Sequence, residues 1–387
     1  MHLTGNNASG QALQDGVAFV LGGSGTPTPP PTYVVAADSL YLQPNGFSGT
    51  AEPLTTIERF KDADLLEREE ARSLTAAIHD QIAQGQVSAE NPLYVFGYSQ
   101  SAAFSPFTME QLHADGVASG DVHFVLIGCP VAPDGGLYTR FDIPPGTDAI
   151  SPINNTPLGN ALPDNLYPTD VYTLEYDPVA DFPRYPLDLL SDLNAFIGLF
   201  TEHLTYLGLT PEQVATAVPL ATSGDTLVNY HMIPAEYLPL LVPLRLVPVI
   251  GIPLYDLLEP DMRILVNLGY GSITQGWDAG PANVETPISL APPDIPISDV
   301  ANALSTGLTE GLDAAIKDLQ DPSIYQLTPL VDNPVLATLI QTQAVYGGDP
   351  HPSSILEVLA IWLQAFQTAI GMGSDAAAAA IPDFAGP

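Results

Sequence analysis

A serine lies at a point of the sequence where a strand is expected to turn sharply into a helix. The apolar run at residues 93–96 is typical of a buried strand, Gly97 ends it, and Ser99 precedes small residues and a helix-compatible segment. This is the layout of a nucleophile elbow, a strained turn that exposes a serine hydroxyl at the end of a strand. The usual pattern is G-x-S-x-G, and Ser101 replaces its last glycine here. Ser99 is therefore a candidate nucleophile, with an ordinary strand-to-helix loop as the alternative.

A nucleophilic serine needs a base, and the sequence offers candidates for one. A histidine usually takes the serine proton, and a carboxylate holds that histidine in the correct tautomer. In α/β-hydrolases the chain order is serine, acid, histidine. Asp177 and Asp181 follow a predicted strand, and His203 comes next in a short connection, with His231 as the second choice for the base. The residues alone leave the acid open between the two aspartates.

A glycine-rich segment follows the first predicted strand, at residues 22–26. Glycines allow backbone N–H groups to point at developing negative charge, and Ser24 or Thr26 could add a hydroxyl donor, so the segment is a candidate oxyanion loop. A dinucleotide fingerprint would need a helix directly after the glycines. The prolines at 27 and 29–31 argue against such a helix. A plain Gly/Pro loop is the alternative.

The elements around these residues indicate an α/β protein. Short continuous apolar strands alternate with helical segments, which is typical of a mainly parallel sheet covered by helices on both faces. In such sheets the site lies at the carboxyl ends of the strands, where all these candidates fall. Segment 33–42 is predicted to be a loop with strand-like pieces. The other predicted elements are strands at 17–21, 93–96, 122–127 and 171–176 and helices at 60–84, 187–200, from 210, 299–319 and 353–370.

A proline-rich apolar insert at about 230–270 precedes the C-terminal helices. It could form a lid or an acyl-binding wall, or a second layer of the core, and we favour the core. Four prolines between residues 237 and 258 argue against a membrane-spanning helix there.

Charge and composition exclude several function classes. The 387 residues carry 44 acidic side chains against 9 Lys and Arg, a formal net charge of -35. Such a surface repels phosphate backbones, so we expect no nucleic-acid partner. Because there is one cysteine, no H-E-x-x-H and no close histidine pair, we predict no disulfide framework, no metal and no cofactor. The first residues contain no signal-peptide pattern.

Taken together, the motifs resemble the PE-PPE domain family of mycobacterial serine α/β-hydrolases, which is distantly similar to the cutinases. The resemblance covers about residues 1–295, and in this family G-x-S-x-S is the normal variant of the elbow. It implies an α/β-hydrolase domain at 1–295, including a lid-like apolar segment at about 230–270, and a helical C-terminal extension at 296–387. The matching stretches include GGSGTP at 22–27, VFGYSQSA at 95–102, FVLIG at 124–128, YD at 176–177, ADFP at 180–183 and MIP at 232–234.

The resemblance also implies roles for single residues. Ser99 would be the nucleophile, His203 the base and Asp181 the acid, with Asp177 as the alternative acid. The oxyanion donors would be the N–H of Gln100 and a group in the turn at Gly25 and Thr26. Cys129 stands where the family is expected to have an asparagine.

The expected activity is that of a serine esterase or lipase acting through an acyl-enzyme. One alternative is an acyltransferase that moves acyl chains onto a sugar or lipid hydroxyl, and another is a non-catalytic envelope or interaction protein. The expected partner is an acyl ester or lipid, with peripheral contact to membrane or envelope lipid and a cell-envelope or secreted location. The chain opens on the hydrolase motifs without the helical PE or PPE module of the family, which leaves the export route open.

Overall fold

A computed structural model describes residues 16–56, 63–141, 161–326 and 333–348. The predicted helix at 353–370 and the first three residues of the helix predicted at 60–84 lie outside this part of the chain.

One seven-stranded sheet forms the centre of the molecule, in the order β2-β1-β3-β4-β5-β7-β6. Neighbouring strands are parallel, except that the short edge strand β6 runs antiparallel to β7. Because parallel strands place all their carboxyl ends at one edge, the loops after β1, β3, β4 and β5 meet there. The strands are β1 Gly16–Val20, β2 Gly49–Pro53, β3 Leu93–Tyr98, β4 Val122–Ile127, β5 Thr169–Leu174, β6 Val218–Pro219 and β7 Val228–Ile233.

Helices cover both faces of the sheet, so the predicted α/β architecture is confirmed. Helices α2 and α3 bury Leu74, Ile78 and Met109 against one face. The other face packs against Tyr33, Tyr206 and further aromatic and aliphatic side chains. The α-helices are α1 Pro31–Ala37, α2 Ala63–Ala83, α3 Gln100–Ala114, α4 Leu137–Arg140, α5 Leu189–Gly198, α6 Pro211–Val214, α7 Val242–Arg245, α8 Gly251–Asn267, α9 Ile297–Gln320 and α10 Pro334–Val345.

The prediction for residues 33–42 is wrong, because this segment is helical: α1 continues into a π-helical turn at Asp38–Leu42. Tyr33, Ala37 and Tyr41 recur at helical spacing and are fully buried. The prolines do not prevent the helix, since Pro31 occupies its first position, where no N–H is needed. Tertiary burial therefore outweighs the weak local helix preference of the segment.

Part of the proline-rich segment packs as further core. β7 takes the beginning of the segment, and Leu238, Tyr255 and Val266 form a small apolar cluster with Tyr176. Helix α9 lies close to α8 at its glycines: a Cβ on Gly311 would lie 2.3 Å from the Leu257 carbonyl oxygen. The lid role and the boundary near residue 295 stay predictions. No described helix is long and apolar enough to cross a membrane.

Candidate active site

The turn between β3 and α3 has the geometry of a nucleophile elbow. Ser99 caps α3 with φ 55° and ψ -108°, a conformation that is costly for a residue with a side chain. Its N–H donates to the Ile127 carbonyl oxygen at 3.1 Å, which fixes the turn to the end of β4. Gly97 permits the close passage of α3, since a Cβ there would lie 3.3 Å from the Ala102 nitrogen. The elbow predicted from the sequence is therefore present.

The serine that replaces the last glycine of the usual motif has a structural role. The Ser101 hydroxyl accepts a hydrogen bond from the Tyr98 N–H at 2.7 Å and donates to the Tyr98 carbonyl oxygen at 3.1 Å. Ser101 is only 1% exposed. It satisfies the polar groups at the end of the strand, where the ladder of sheet hydrogen bonds stops.

The structure brings Ser99, His203 and Asp177 into one hydrogen-bonded chain. The Ser99 Oγ lies 2.9 Å from His203 Nε2, and His203 Nδ1 lies 2.9 Å from Asp177 Oδ2. Because the carboxylate accepts, the imidazole carries its proton on Nδ1 and presents the Nε2 lone pair to the serine. The arrangement can therefore take a proton from the Ser99 hydroxyl.

His203 owes its position to a widened last turn of α5. It ends the π-helical turn Leu199–His203, rather than lying in a simple connection as predicted, and is 5% exposed. Gly128, after β4, has φ 55°, and a Cβ there would lie 3.1 Å from His203 Cε1. The glycine leaves room for the imidazole beside the strand ends.

Asp177 is fully buried and has three donors. Besides His203, the Tyr206 hydroxyl donates to its Oδ2 at 2.7 Å, and the Val179 N–H donates to its Oδ1 at 2.8 Å. Tyr206 in turn accepts from the Leu174 N–H at 2.8 Å. Burial, followed by the nearby Asp177 charge, raises the pKa of Tyr206 well above its usual value, so the phenol keeps the proton it donates. Sequence reasoning missed Tyr206, since a tyrosine three residues after a histidine is no signal by itself.

The preference for Asp181 as the acid disagrees with this geometry. Asp181 accepts from the Tyr176 N–H at 3.3 Å, and its own N–H donates to the Asp177 carbonyl oxygen at 2.6 Å. Asp181 therefore stabilises the backbone of the loop that holds Asp177, in which Tyr176 has the unusual φ of 68°. Burial, only partly opposed by Arg140, raises the pKa of Asp181 well above its usual range. The alternative aspartate, Asp177, is the one in contact with His203.

The glycine-rich segment lies against the nucleophile. A Cβ on Gly23 would lie 3.4 Å from the Ser99 Cβ, and the Ser24 hydroxyl donates to Gln100 Oε1 at 2.8 Å. Gly25, with φ 82°, shapes a β-turn in which the Thr26 N–H donates to the Gly23 carbonyl oxygen at 2.9 Å.

This turn and the start of α3 therefore adjoin Ser99 from two sides. The N–H of Thr26 is engaged within its own turn, so it is a weaker candidate donor than the sequence indicated. The Gln100 side chain reaches further, and its Nε2 donates to the Glu70 carboxylate at 3.3 Å.

The remaining candidates lie elsewhere or are unreactive. His231 is in β7, where its Nε2 lies 3.3 Å from Asp170 Oδ1. Burial raises the pKa of the Cys129 thiol to about 12, so the thiol stays protonated. Among the described residues, no group of three or more His, Cys, Asp or Glu side chains could hold a metal ion.

A mainly parallel sheet with a serine elbow at the end of a central strand defines an α/β-hydrolase fold. A profile of the PE-PPE domain matches residues 61–271, more than half of the chain. The chain therefore belongs to the PE-PPE domain family.

Three relatives from Mycobacterium tuberculosis are similar to it. The uncharacterized PPE family protein PPE28 is 42% identical over 79% of this chain and 47% of its own length. Esterase PE16 is 35% identical over 90% of this chain and 65% of its own. Diacyltrehalose acyltransferase Chp2 is 26% identical over 55% of this chain and 60% of its own. The chain thus spans about half to two thirds of these relatives.

Proposed function

We propose that this chain is a serine esterase that hydrolyses acyl esters, with Ser99 as nucleophile, His203 as base and Asp177 as acid. The observation that carries the proposal is the continuous chain of 2.9 Å contacts from the Ser99 hydroxyl through His203 to Asp177. Similarity to a named esterase supports the same reaction class.

Acylation would begin with attack of the Ser99 Oγ on the ester carbonyl carbon, while His203 Nε2 takes the hydroxyl proton. Asp177 stabilises the imidazolium and keeps Nδ1 protonated. The oxyanion would lie between the N–H of Gln100, at the start of α3, and the glycine-rich turn, where the helix terminus adds a favourable dipole. Collapse of this intermediate breaks the ester C–O bond, and His203 returns its proton to the leaving alcohol.

Deacylation would repeat these steps with water. His203 takes a proton from the water as its oxygen attacks the acyl carbon, and then returns that proton to Ser99 Oγ as the acid leaves. His203 is 5% exposed and Asp177 is fully buried, so these charges develop in a poorly hydrated site where electrostatic stabilisation is strong.

Exposed apolar side chains on the helix that precedes the histidine support an acyl substrate. Helix α5 leads directly into the His203 turn, and its Leu189, Leu193 and Phe196 are 76%, 49% and 59% exposed. Large exposed apolar side chains that cluster on one element are typical of binding surfaces. An acyl chain that covered them would gain about 0.8 kcal/mol for each buried methylene.

The test is labelling with a fluorophosphonate, which reacts with an activated serine. We expect the wild-type protein to be labelled and Ser99→Ala to be unlabelled and inactive on p-nitrophenyl esters. Ser105→Ala is a matched control, because Ser105 is a buried serine of α3 that donates only to the Ser101 carbonyl oxygen. An unlabelled wild-type protein, or equal labelling of Ser99→Ala, would contradict the proposal and favour a non-catalytic interaction protein.

A second candidate is acyl transfer to an alcohol, which the similarity to a named acyltransferase supports. The same acyl-enzyme would then react with a sugar or lipid hydroxyl in place of water. Supplying the acyl-enzyme with water alone and with a sugar acceptor, followed by mass spectrometry of the products, separates the two. Free acid in both cases supports the esterase, and an acylated sugar supports the transferase.

A further inference from the structure

A buried arginine bonds the loop that holds Asp177. Arg140 ends α4, is 1% exposed, and donates through Nε to the Phe182 carbonyl oxygen at 2.8 Å. Phe182 is the last residue of the stretch 175–182, which follows β5 and which we call the acid loop. A guanidinium carries five donors in a fixed plane, so a buried one holds the segments that supply its acceptors in a defined geometry. Arg140 therefore connects α4 to the acid loop.

Backbone hydrogen bonds join the same two parts of the chain. The Leu137 N–H donates to the Val179 carbonyl oxygen at 2.9 Å, and the Phe182 N–H donates to the Gly135 carbonyl oxygen at 2.7 Å. Gly135 permits this approach, because a Cβ there would lie 2.9 Å from the Ala180 carbonyl oxygen. The side-chain bond of the arginine thus adds to a contact that backbone bonds already define.

A second segment supplies further acceptors for the guanidinium. Arg140 Nη1 donates to the Thr286 carbonyl oxygen at 2.5 Å and also to the Thr286 hydroxyl. That hydroxyl donates to Asp134 Oδ1 at 2.6 Å, and the Arg140 carbonyl oxygen accepts from the Ile288 N–H at 2.8 Å. Asp134 Oδ1 lies 3.7 Å from Nη1, so this carboxylate offsets the buried positive charge.

This second segment, residues 276–289, also bonds the acid loop directly, and we call it the strap. The Gly276 N–H donates to Glu175 Oε1 at 2.7 Å, and Glu175 is 3% exposed. The Ser289 N–H donates to the Arg184 carbonyl oxygen at 2.9 Å. The strap therefore contacts the acid loop at its start and the chain just after its end.

These bonds reach Asp177 through the backbone of the acid loop. The Val179 N–H donates to Asp177 Oδ1 at 2.8 Å, and the Asp181 N–H donates to the Asp177 carbonyl oxygen at 2.6 Å. Val179 itself accepts from α4, and Asp181 directly precedes the carbonyl group that Arg140 bonds. A shift of either donor would move the carboxylate that contacts the imidazole.

We infer that Arg140 is a positioning residue for the proposed reaction, and that together with the strap it holds the acid loop so that Asp177 stays in contact with His203. The strap lies outside the segment 61–271 that the family profile matches, so this part of the chain would complete the active site. The inference rests on the proposed function, because it assigns a role relative to the acid of that reaction.

Arg140→Lys tests the inference. A lysine keeps the positive charge but has no planar fork, so it cannot bond Phe182 and Thr286 in the same geometry. We expect kcat on p-nitrophenyl esters to fall about tenfold with KM unchanged, because Asp177 orients His203 for the reaction rather than for substrate binding.

Arg245→Lys is the matched control. The Arg245 guanidinium lies over the rings of Tyr237 and Tyr255, 4.2 and 4.8 Å from their centroids, and donates to Asp256. The same chemical change is therefore made at a shielded arginine that bonds a different part of the chain. The control should keep the wild-type kcat.

Thr286→Val is a second and milder variant, which carries the test if Arg140→Lys does not fold. It keeps every charge and removes only the hydroxyl between Arg140 and Asp134. We expect kcat to fall about threefold with KM unchanged. A wild-type kcat in Thr286→Val, or an equal loss in Arg245→Lys and Arg140→Lys, would overturn the inference.

One readout needs no activity. The NMR resonance of the His203 Nδ1 proton reports the charge-assisted hydrogen bond to Asp177, and loss of folded protein would lower only its intensity. Its position should shift in Arg140→Lys and Thr286→Val and stay unchanged in Arg245→Lys. A wild-type protein that is not labelled by the fluorophosphonate would refute the proposed function only, whereas an unchanged His203 resonance in both variants would refute the positioning role only.

Discussion

Two histidine–aspartate groups lie at opposite ends of the same strands. At the carboxyl ends, His203 and Asp177 meet Ser99. Near the amino ends, Asp170 of β5 contacts His123 of β4 and His231 of β7, a set of residues that we call the Asp170 cluster.

The two groups differ in which imidazole nitrogen contacts the carboxylate. In the Asp170 cluster both histidines use Nε2, at 2.7 Å for His123 and 3.3 Å for His231, so one carboxylate serves two rings. These rings also stack on Tyr94 and Tyr172, with centroids 4.7 and 4.6 Å apart. At the Ser99 end, the Asp177 carboxylate contacts Nδ1 of His203 and leaves Nε2 for the serine.

The comparison shows that a contact between a histidine and an aspartate does not by itself place the imidazole beside a serine. The Asp170 cluster is a hydrogen-bonded polar group on one face of the sheet, whereas His203 lies where the elbow places the Ser99 hydroxyl 2.9 Å from its Nε2. Position along the strand, rather than residue type, separates the two.

The largest expected effect is the difference in kcat between substitution of Asp177 and substitution of Asp170. Asp177→Asn should lower kcat by about 10⁴-fold, because an asparagine no longer selects the tautomer that presents a lone pair to Ser99. Asp170→Asn should leave kcat within about threefold of wild type, since its histidines are remote from the elbow. Steady-state kinetics on p-nitrophenyl butyrate would measure both.

Asp181→Asn is the second arm of that experiment. Its carboxyl has a raised pKa and contacts backbone rather than His203, so we expect a far smaller loss than for Asp177→Asn. Loss of activity in Asp181→Asn with retention in Asp177→Asn would restore the assignment made from sequence and refute the structural one.

A smaller difference in kcat is expected between the tyrosines that lie beside the two groups. Tyr206→Phe removes a donor to the Asp177 carboxylate and should lower kcat about five- to tenfold, because hydrogen bonds to charged groups are worth about 1.5–3 kcal/mol and part is recovered by rearrangement. Tyr172→Phe removes a hydroxyl that bonds Asn45 beside the Asp170 cluster and should leave kcat unchanged. Equal losses in the two variants would show a general packing effect instead.

The smallest effect concerns the pH dependence of stability, which should differ in sign between the two ends. Near the carboxyl ends of the strands, burial raises the pKa of Asp134 to about 6 and that of Glu202 to about 8. The folded protein then binds protons that the unfolded chain has released, so the free energy of unfolding falls as pH rises from about 5 to 8.

At the Asp170 cluster the sign is opposite. Although burial favours the neutral carboxyl, hydrogen bonds from His123, His231 and Asn229 hold the pKa of Asp170 below its usual range. The contribution of Asp170 to the free energy of unfolding is present above the unfolded pKa of about 3.9 and is lost as pH falls below that value. Thermal melts should therefore give the highest Tm near about pH 4 and a decline from there to about pH 8. A Tm that rises from pH 6 to 8 would contradict this account, and Asp134→Asn should flatten the part of the decline between about pH 4 and 6.

Much of the fold was predictable because its signals are local. The strand predicted at residues 122–127 has the same bounds as β4. The helix predicted to start at Thr210 does so, and Thr210 forms a capping box with Gln213. The error at residues 33–42 arose because a proline-rich entry and aromatic residues favour extended chain locally, while burial of Tyr33 and Tyr41 stabilises a helix. The four-residue spacing of Tyr33, Ala37 and Tyr41 was the local signal for the helix, and the prolines before it obscured that signal.

The sequence by itself determined the candidate nucleophile, since an apolar strand, a glycine and small residues around Ser99 are all needed within one short stretch. It also determined the order of acid and histidine along the chain. Only the tertiary structure decided which aspartate meets His203, because Asp177 and Asp181 lie four residues apart and their side chains point to different sides of one loop. It also brought Tyr206 to the site, since its hydrogen bond to Asp177 depends on how the chain after α5 packs against the end of β5.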